Sequence, residues 1–370
     1  MLALLSLPFA AQLSGQEPPP PAKGLQLETG EYTWKLGGYV KLDLIHDFDA
    51  IGSTDSFDVR TIPTGTDEGT DDSTRIHARQ SRLNLDVSGP SSVGEFRAFV
   101  EGDFFSDQNG FRMRHAYGTV AGVLGGQTWT TFMDESAMPE TIDFESPVAF
   151  PLVRQPQVRY TRALEDGSYW AVSLEDPDSD VQFPSTAMGK VEEPLPDVNA
   201  RLHLANSRGH VQLGLFGGMA RFDPDAGASE DVALWGANLS TKLATAGKDS
   251  AIVQVTYGDG VGRYRGGTTA ILDDSGNLEA IPVLGLLGSY EHHWCEEYRS
   301  TIGYSWGEGD IPSGTSLVVS EELVYAFANL IWQFTDRAWA GVEYLYGTRD
   351  TTDGEDGDAN RLQFALRFDL

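Results

Sequence analysis

The chain has little cysteine and no long apolar segment. Its 370 residues include a single cysteine, Cys295, so no internal disulfide can form. No run of about 18 apolar residues is present, which excludes a membrane-spanning helix. Helical periodicity is scarce after the N-terminus. These absences exclude a helical membrane protein and a disulfide-stabilised domain.

Metal-binding motifs are also missing. The segment His292-His293-Trp294-Cys295-Glu296 matches no metal-site spacing. The acidic run Asp353–Asp358 lacks the alternating ligands and the distal glutamate of an EF-hand. We therefore assign no metal and no cofactor from the sequence.

Short segments in which apolar and polar residues alternate recur to the end of the chain. In the last ten residues, one face carries only apolar side chains, and these are Leu362, Phe364, Leu366, Phe368 and Leu370. A period of two is that of a β-strand. Because Gly, Asp, Asn and Pro separate the segments, we predict an all-β protein. The pattern gives about sixteen strands, at 33–46, 76–89, 94–105, 110–119, 122–129, 154–162, 168–175, 198–206, 210–221, 230–242, 251–259, 281–291, 298–307, 320–333, 338–348 and 360–370.

Alternation alone fits both a soluble sandwich and a transmembrane barrel. Two further features favour the barrel. Aromatic residues lie near the ends of the apolar faces, as in the girdles of outer-membrane barrels; they are Trp34, Trp170, Tyr257, Tyr298, Tyr304, Trp306, Trp332, Tyr344 and Tyr346. Tight turns near 89–94, 118–122 and 206–210 contrast with long acidic connectors at 50–74 and 350–360. We predict a transmembrane antiparallel β-barrel of about 16 strands.

The N-terminus differs from the rest of the chain. Residues 1–11 look like the apolar core of a secretory signal peptide without its basic start, which indicates export. Residues 12–31 include a proline-rich stretch and are predicted to form an extended tether. The barrel is then predicted to occupy residues 32–370.

Charged residues are segregated along the chain. There are 55 acidic and 26 basic residues, a net charge of -29, and the acids crowd into the predicted long loops. These loops are solvated tips or bind lipopolysaccharide phosphates through divalent cations. Arginines instead cluster on the polar faces of consecutive strands, which predicts a pore-lining patch on one wall of the lumen. The predicted pore-lining residues are Arg75, Arg79, Arg82, Arg97, Arg112, Arg114 and Arg159.

One long segment, Thr130–Val153, follows the fifth strand without any alternation. We predict that it folds into the lumen as a constriction loop, carrying Asp134, Glu135, Glu140, Asp143 and Glu145. A basic wall facing an acidic loop would create a transverse field that selects charged or dipolar solutes. The alternative is that the arginines pair with lumen carboxylates such as Asp86, Glu101 and Asp103.

Several sequence blocks stand in a specific order and spacing over roughly residues 34 to 162. They include Arg75–Asp86, Val100–Phe105, Phe111–Gly118, Gly126–Asp134, Pro139–Glu145 and Arg154–Thr161. These blocks resemble the DcaP-like outer-membrane porins. The resemblance implies a trimeric 16-stranded channel for small organic anions, dicarboxylates among them, with the arginines lining the constriction. Some members carry an N-terminal periplasmic coiled coil, whereas this sequence offers only a short Pro-rich tether at that place, so we expect trimerisation to rest on the barrel walls.

Three functions from different classes fit these features. The first is a passive outer-membrane channel that prefers organic anions. The second, a hydrolase, would use Ser81 with His77, but no motif places a third orienting group. The third is an adhesive or structural barrel whose loops are the working surface. We predict the channel, not an enzyme, located in the bacterial outer membrane. The expected partners are membrane lipid, lipopolysaccharide, small organic anions and two further copies of the chain, with no nucleic acid.

Overall fold

The computed structural model describes residues 24–65, 72–106, 109–265 and 267–370. The predicted signal-like segment and the first part of the predicted tether lie outside these residues. The described strands are β1 Leu25–Thr29, β2 Tyr32–Asp47, β3 Ser73–His77, β4 Arg82–Ser91, β5 Gly94–Asp103, β6 Arg112–Val120, β7 Val123–Trp129, β8 Arg154–Ala163, β9 Tyr169–Glu175, β10 Val181–Gln182, β11 Gly189–Glu192, β12 Asp197–Asn206, β13 Gly209–Pro224, β14 Glu230–Ala244, β15 Ser250–Asp259, β16 Ala270–Leu272, β17 Leu278–Ala280, β18 Pro282–His293, β19 Tyr298–Gly309, β20 Ser320–Thr335, β21 Ala338–Thr351 and β22 Asp356–Asp369.

In the described part of the chain, short 3-10 turns lie at Val59–Thr61, Glu135–Ala137 and Val261–Arg265. Within the described residues, no helical segment has the length and apolar character needed to cross a bilayer.

The principal strands form one closed antiparallel ring. Each strand pairs with its neighbour in sequence, and β2 pairs with β22, so that no edge stays open. Strands β3 and β4 pair with successive parts of β2 and together occupy one position. With β10, β11, β16, β17 and the short β1 set aside, the ring has sixteen positions. The predicted sixteen-stranded barrel is confirmed.

The orientation of apolar and polar side chains along the strands is the reverse of that in a soluble protein. On β2, Lys41 and Asp43 are 3% and 0% exposed, whereas Val40 and Leu42 are 50% and 46% exposed. A sandwich would bury the apolar residues and expose the charged ones. The apolar outer face instead suits lipid, and the polar residues face the lumen.

Two strand predictions need correction. The predicted strand 76–89 is interrupted at residues 78–81, where the chain turns and the Ser81 hydroxyl accepts a hydrogen bond from the Lys41 amide at 3.0 Å. The predicted tether ended at residue 31, whereas Leu25–Thr29 forms β1. This strand pairs with the edge of β2 that β22 also uses, because Leu25 is opposite Leu36 and Asp369 is opposite Tyr39.

Connector lengths differ between the two ends of the barrel. At one end, the connectors after β4, β6, β8, β12, β14, β18 and β20 have two to five residues. The other end carries longer loops, among them residues 48–72, 176–196 and 260–281. The prediction of a long acidic connector at 350–360 is wrong, because only residues 352–355 lie between β21 and β22. We call the end of the barrel with the short connectors the turn end, and the end with the longer loops the loop end.

Candidate functional site: a constriction in the lumen

The segment Thr130–Val153, here called the constriction loop, begins beside β12, β13 and β14. The Arg201 guanidinium donates to the Thr130 and Thr131 carbonyls at 2.9 and 2.8 Å. The Asp134 carboxylate contacts His210 Nε2 at 2.7 Å and accepts from the Ser240 hydroxyl at 2.6 Å. These side chains belong to the wall, so the loop starts by crossing the lumen.

The middle of the loop is held by β19, β20, β21 and β2. Arg299 forms a bidentate pair with Glu140 at 2.6 and 2.7 Å. The backbone amides of Ile142 and Asp143 donate to the Glu343 carboxylate at 3.0 and 2.7 Å. The Lys41 ammonium donates to the Ile142 carbonyl at 2.5 Å.

The last part of the loop returns along β15 and β19. Arg265, from the long loop after β15, pairs with Glu145 at 2.6 Å. The Ala149 amide donates to the Ser305 hydroxyl at 2.9 Å, and its carbonyl accepts from Gln254 at 2.9 Å. The loop therefore has partners on strands from β12 round to β2. Its predicted inward fold is confirmed.

Four of the five predicted loop carboxylates have close partners of their own within the described residues. Asp134, Glu140 and Glu145 are bound to His210, Arg299 and Arg265, all outside the predicted arginine patch. Asp143 accepts from the Phe57 amide at 3.0 Å and lies 3.7 Å from the Arg361 guanidinium. Asp134 and Glu140 thus fix the constriction loop to wall strands, while Asp143 and Glu145 fix it to other loops.

Two of these loop acids have shifted pKa values of opposite sign. Burial raises the pKa of Asp143 to about 7; the nearby Glu343 carboxylate adds to the shift, and Arg361 opposes it. For Asp134, burial also acts to raise the pKa, but the hydrogen bonds from His210 and Ser240 outweigh it and lower the pKa. Burial also raises the pKa of Glu135, the residue after Asp134 in the loop.

A cavity of about 550 Å³ separates the constriction loop from the wall formed by β2 and β4–β8. We call it the lumen cavity. Its cationic lining residues are Lys41, Arg60, Arg82, Arg114, Arg154, Arg263, Arg265 and Arg367. Its acidic lining residues are Glu101, Glu140, Asp143, Glu145 and Asp178. Eight cations therefore face five carboxylates in a chain whose net charge is -29.

A closed sixteen-strand barrel with a loop folded into the lumen is the architecture of outer-membrane porins. The family model described as DcaP outer membrane protein matches residues 26–370. The chain belongs to the DcaP outer membrane protein family. A comparison with curated proteins gave no match.

Solved structures agree with the DcaP assignment. The chain resembles the outer membrane channel DcaP of Acinetobacter baumannii with a TM-score of 0.83 and 26% identity, over 94% of this chain and 99% of that one. It also resembles an anion-selective porin from Comamonas acidovorans, with a TM-score of 0.61 and 13% identity over 92% and 100% of the two chains. For OmpT of Vibrio cholerae in its trimer form, the TM-score is 0.60 and the identity 14%, over 92% and 100%. The protein is therefore an outer-membrane channel.

In this DcaP family member, two of the seven predicted arginines line the lumen cavity. Arg114 is buried between Glu101 and Asp103, at 3.0 and 2.8 Å. Arg82 is looser, because Glu101 is 3.9 Å away and the Tyr39 ring centroid is 5.4 Å from the guanidinium carbon.

Two further predicted arginines are bound to strand carboxylates outside the cavity lining. Arg112 forms a bidentate pair with Asp103 at 3.0 and 2.9 Å. Arg97 forms another with Asp86 at 2.8 and 3.0 Å, towards the turn end. The alternative reading, in which arginines pair with lumen carboxylates, therefore holds for these side chains and for Arg114.

The other three predicted arginines are dispersed. Arg79, in the break between β3 and β4, pairs with Asp55 and donates to the Ser106 carbonyl. Arg75 is half-buried on β3. Arg159 is buried on β8 and feels the charges of Arg201, Glu135 and Glu175.

Sequence reasoning missed Arg154. It is the first residue of β8, and strict alternation from Val158 would place it on the lipid face. The guanidinium instead lines the lumen cavity, with its central carbon 4.4 Å from the centroid of the Trp129 ring. No carboxylate of the described residues lies within 4.0 Å of it. Its only sequence signal is its position at a strand end, where the alternation is interrupted.

Proposed function

We propose that the protein is a passive channel that prefers small organic anions. The observation that carries this proposal is the cationic lining of the lumen cavity, where eight Lys and Arg face five carboxylates. Four of those carboxylates are already within ion-pair distance of an arginine, namely Glu101, Glu140, Asp143 and Glu145. Because the cavity is walled by protein, its local charge should govern which solutes enter.

Arg82 and Arg154 are proposed as the main solute contacts. Neither has a carboxylate closer than 3.9 Å among the described residues. A guanidinium can hold a carboxylate with two parallel hydrogen bonds while staying partly hydrated, so a solute is attracted without being trapped. Two such groups on one cavity suit a solute with two carboxylates. This supports small dicarboxylates as the preferred solutes.

The geometry does not favour a hydrolase. The Ser81 hydroxyl bonds to the backbone of Lys41 and not to His77. The His77 ring nitrogens lie 3.9 Å from carboxylate oxygens of Asp43 and Asp55. Since no base among the described residues contacts the Ser81 hydroxyl, nothing there would activate it as a nucleophile.

The test is a reversal-potential measurement in a planar bilayer under a KCl gradient, with the wild type compared to R82Q and R154Q. Each change removes one cation from the lumen cavity, so we expect anion preference to fall in both variants and furthest in the double variant. R208Q is the matched control, because Arg208 is exposed in the turn between β12 and β13. It removes the same charge far from the cavity and should leave the potential unchanged.

The same bilayer can test the solute class. A four-carbon dicarboxylate should reduce KCl current at lower concentration than the corresponding monocarboxylate or diamide, and this difference should shrink in R82Q/R154Q. An unchanged reversal potential in the double variant would refute the assignment of the arginines. An absence of any conductance would favour the adhesive or structural barrel instead.

We further propose a homotrimer in contact with outer-membrane lipid and lipopolysaccharide. The trimer form of OmpT from Vibrio cholerae, which shares this fold, supports the oligomer. Migration of the unheated protein in detergent gels, compared with chemically cross-linked protein, would test it. We keep residues 1–11 as a proposed export signal and residues 12–23 as a proposed tether.

A further inference from the structure

One cluster of metal-ligating side chains lies outside the lumen cavity. Asp134 of the constriction loop, His203 of β12 and His210 of β13 are buried at 0%, 6% and 7% exposure. Each offers one ligand atom, and these atoms lie within 4.8 Å of one another. The two imidazole rings stack at 4.4 Å between centroids. Two histidines and a carboxylate form a donor set that binds divalent transition metals in proteins.

The neighbouring hydrogen bonds prepare the His203 ring for coordination. The Gln212 side-chain amide donates to the Met133 carbonyl at 3.0 Å, which fixes the direction of its oxygen. That oxygen is 3.3 Å from His203 Nδ1, so Nδ1 carries the proton. The lone pair of His203 Nε2 is therefore free to bind a metal. An outer partner that fixes the tautomer is what metal-binding histidines usually have.

His210 and Asp134 meet directly. His210 Nε2 lies 2.7 Å from Asp134 Oδ2, with a proton between them. A metal ion would take the place of that proton and bind both atoms. Tetrahedral coordination at about 2.0 Å would require ligand atoms roughly 3.3 Å apart. Because an imidazole binds a metal ion in the plane of its ring, the stacked rings of His203 and His210 would have to turn towards a shared ion.

We propose that Asp134, His203 and His210 form a binding site for a divalent transition metal such as Zn²⁺. The ligands come from two parts of the molecule, the constriction loop and the barrel wall. A bound ion would therefore clamp the start of the loop to β12 and β13. The positive charge of Arg201 also acts on Asp134. The Arg201 guanidinium donates its hydrogen bonds to the Thr130 and Thr131 carbonyls and not to the proposed ligands. The fourth position would be filled by water.

The experiment is a calorimetric titration of Zn²⁺ into untagged, detergent-purified protein that has been stripped with a chelator. H203Q and H210Q each remove one proposed ligand, and we expect the affinity to fall about 100-fold or more. H46Q and H292Q are matched controls. Each of these histidines lies beside a single carboxylate, Asp72 and Asp249 respectively, outside the cluster. Heat-modifiable migration on gels verifies that every variant is a folded barrel.

One site of high affinity in the wild type and in both controls, lost in H203Q and in H210Q, would support the proposal. Zn²⁺ binding that survives both ligand variants, or that is lost in H292Q, would overturn it. So would the absence of binding to the folded wild type, because the three side chains would then act only as hydrogen-bonded anchors of the loop. A second readout uses Co²⁺, whose visible spectrum reports coordination directly and should change with H203Q.

Discussion

At the scale of single residues, position decides the role of each charged group more than its type. Glu140 and Glu145 carry the same carboxylate as Glu101, yet they hold the constriction loop in place while Glu101 lines the wall beside Arg114. Arg97 and Arg154 differ in the same way, since one is fully paired and the other has no close carboxylate. Under the proposed function, solute binding in the lumen cavity would depend on the arginines without a close carboxylate.

Asp143 gives a prediction at this scale. Its pKa of about 7 lies above the ordinary 3.8, so the docked loop favours the protonated carboxyl. The docked state binds the proton more tightly than the undocked state, so docking should weaken as pH rises from about 4 to about 7 and stay constant above. Between pH 5.5 and 8 the loss is about 2 kcal/mol. Hydrogen exchange of residues 130–153, corrected for its intrinsic pH dependence, measures it.

D143N supplies the control for this prediction. Its amide oxygen can still accept from the Phe57 backbone, but it does not titrate. We expect the protection of the loop to become nearly independent of pH in this range. A variant that kept the pH dependence of the wild type would assign the effect to another group.

At the scale of elements, the constriction loop fits because the wall has glycines where the loop touches it. A Cβ atom on Gly214 of β13 would lie 2.5 Å from the Phe132 carbonyl oxygen, and one on Gly341 of β21 would lie 2.6 Å from Ile142. Gly285 of β18 is similarly close to Ala149. At Gly214 the near atom is backbone, which leaves no room for a side chain, and at the other two glycines the loop would have to shift.

The variant G214A tests this idea. The added methyl group meets backbone, which must shift, so the start of the loop should move off the wall and into the lumen. We expect single-channel conductance to fall and the local stability of the loop to decrease by about 1–3 kcal/mol. G288A is the matched control, because Gly288 lies on β18 and a Cβ atom there meets nothing within 4 Å. Equal conductance in G214A and the parent protein would contradict the close approach of the loop at Gly214.

The strands could be predicted from the sequence because their pattern is local. The predicted segments 94–105 and 154–162 correspond to Gly94–Asp103 and Arg154–Ala163. The break at residues 78–81 could not be predicted, since it depends on a bond to Lys41 on another strand. The partners of the loop acids could not be predicted either, because they are distant in sequence: Glu140 and Arg299 are 159 positions apart. Arg154 was missed because alternation fails at strand ends.

At the scale of the whole molecule, charge is arranged in two regions of opposite sign. The chain carries a net charge of -29, while the lumen cavity has an excess of cations. If the proposed function holds, the exposed acidic loops attract cations over long range and the lumen cavity attracts anions over short range. The ionic strength of the solution decides how far each influence reaches.

This arrangement predicts an unusual salt dependence. The Debye length is about 30 Å at 0.01 M salt and about 8 Å at 0.15 M. Raising the salt should screen the exposed loops more than the enclosed cavity, so we expect the anion-to-cation permeability ratio to increase. Reversal potentials at a fixed KCl ratio but different absolute concentrations measure this. An anion-to-cation permeability ratio that falls steadily as the salt concentration rises would show that salt also screens the charges of the lumen cavity.

The pairing of β2 with β22 also has a consequence for assembly. Gln363 and Asp43 are 320 positions apart in the chain, yet they share a hydrogen bond of 2.8 Å. Contacts of such high sequence separation form late and slowly in folding. Until they form, both strands present unpaired backbone groups, which a lipid environment penalises heavily. Folding of the barrel is therefore expected to be all-or-none, with the last strand deciding whether the preceding fifteen positions become a stable structure.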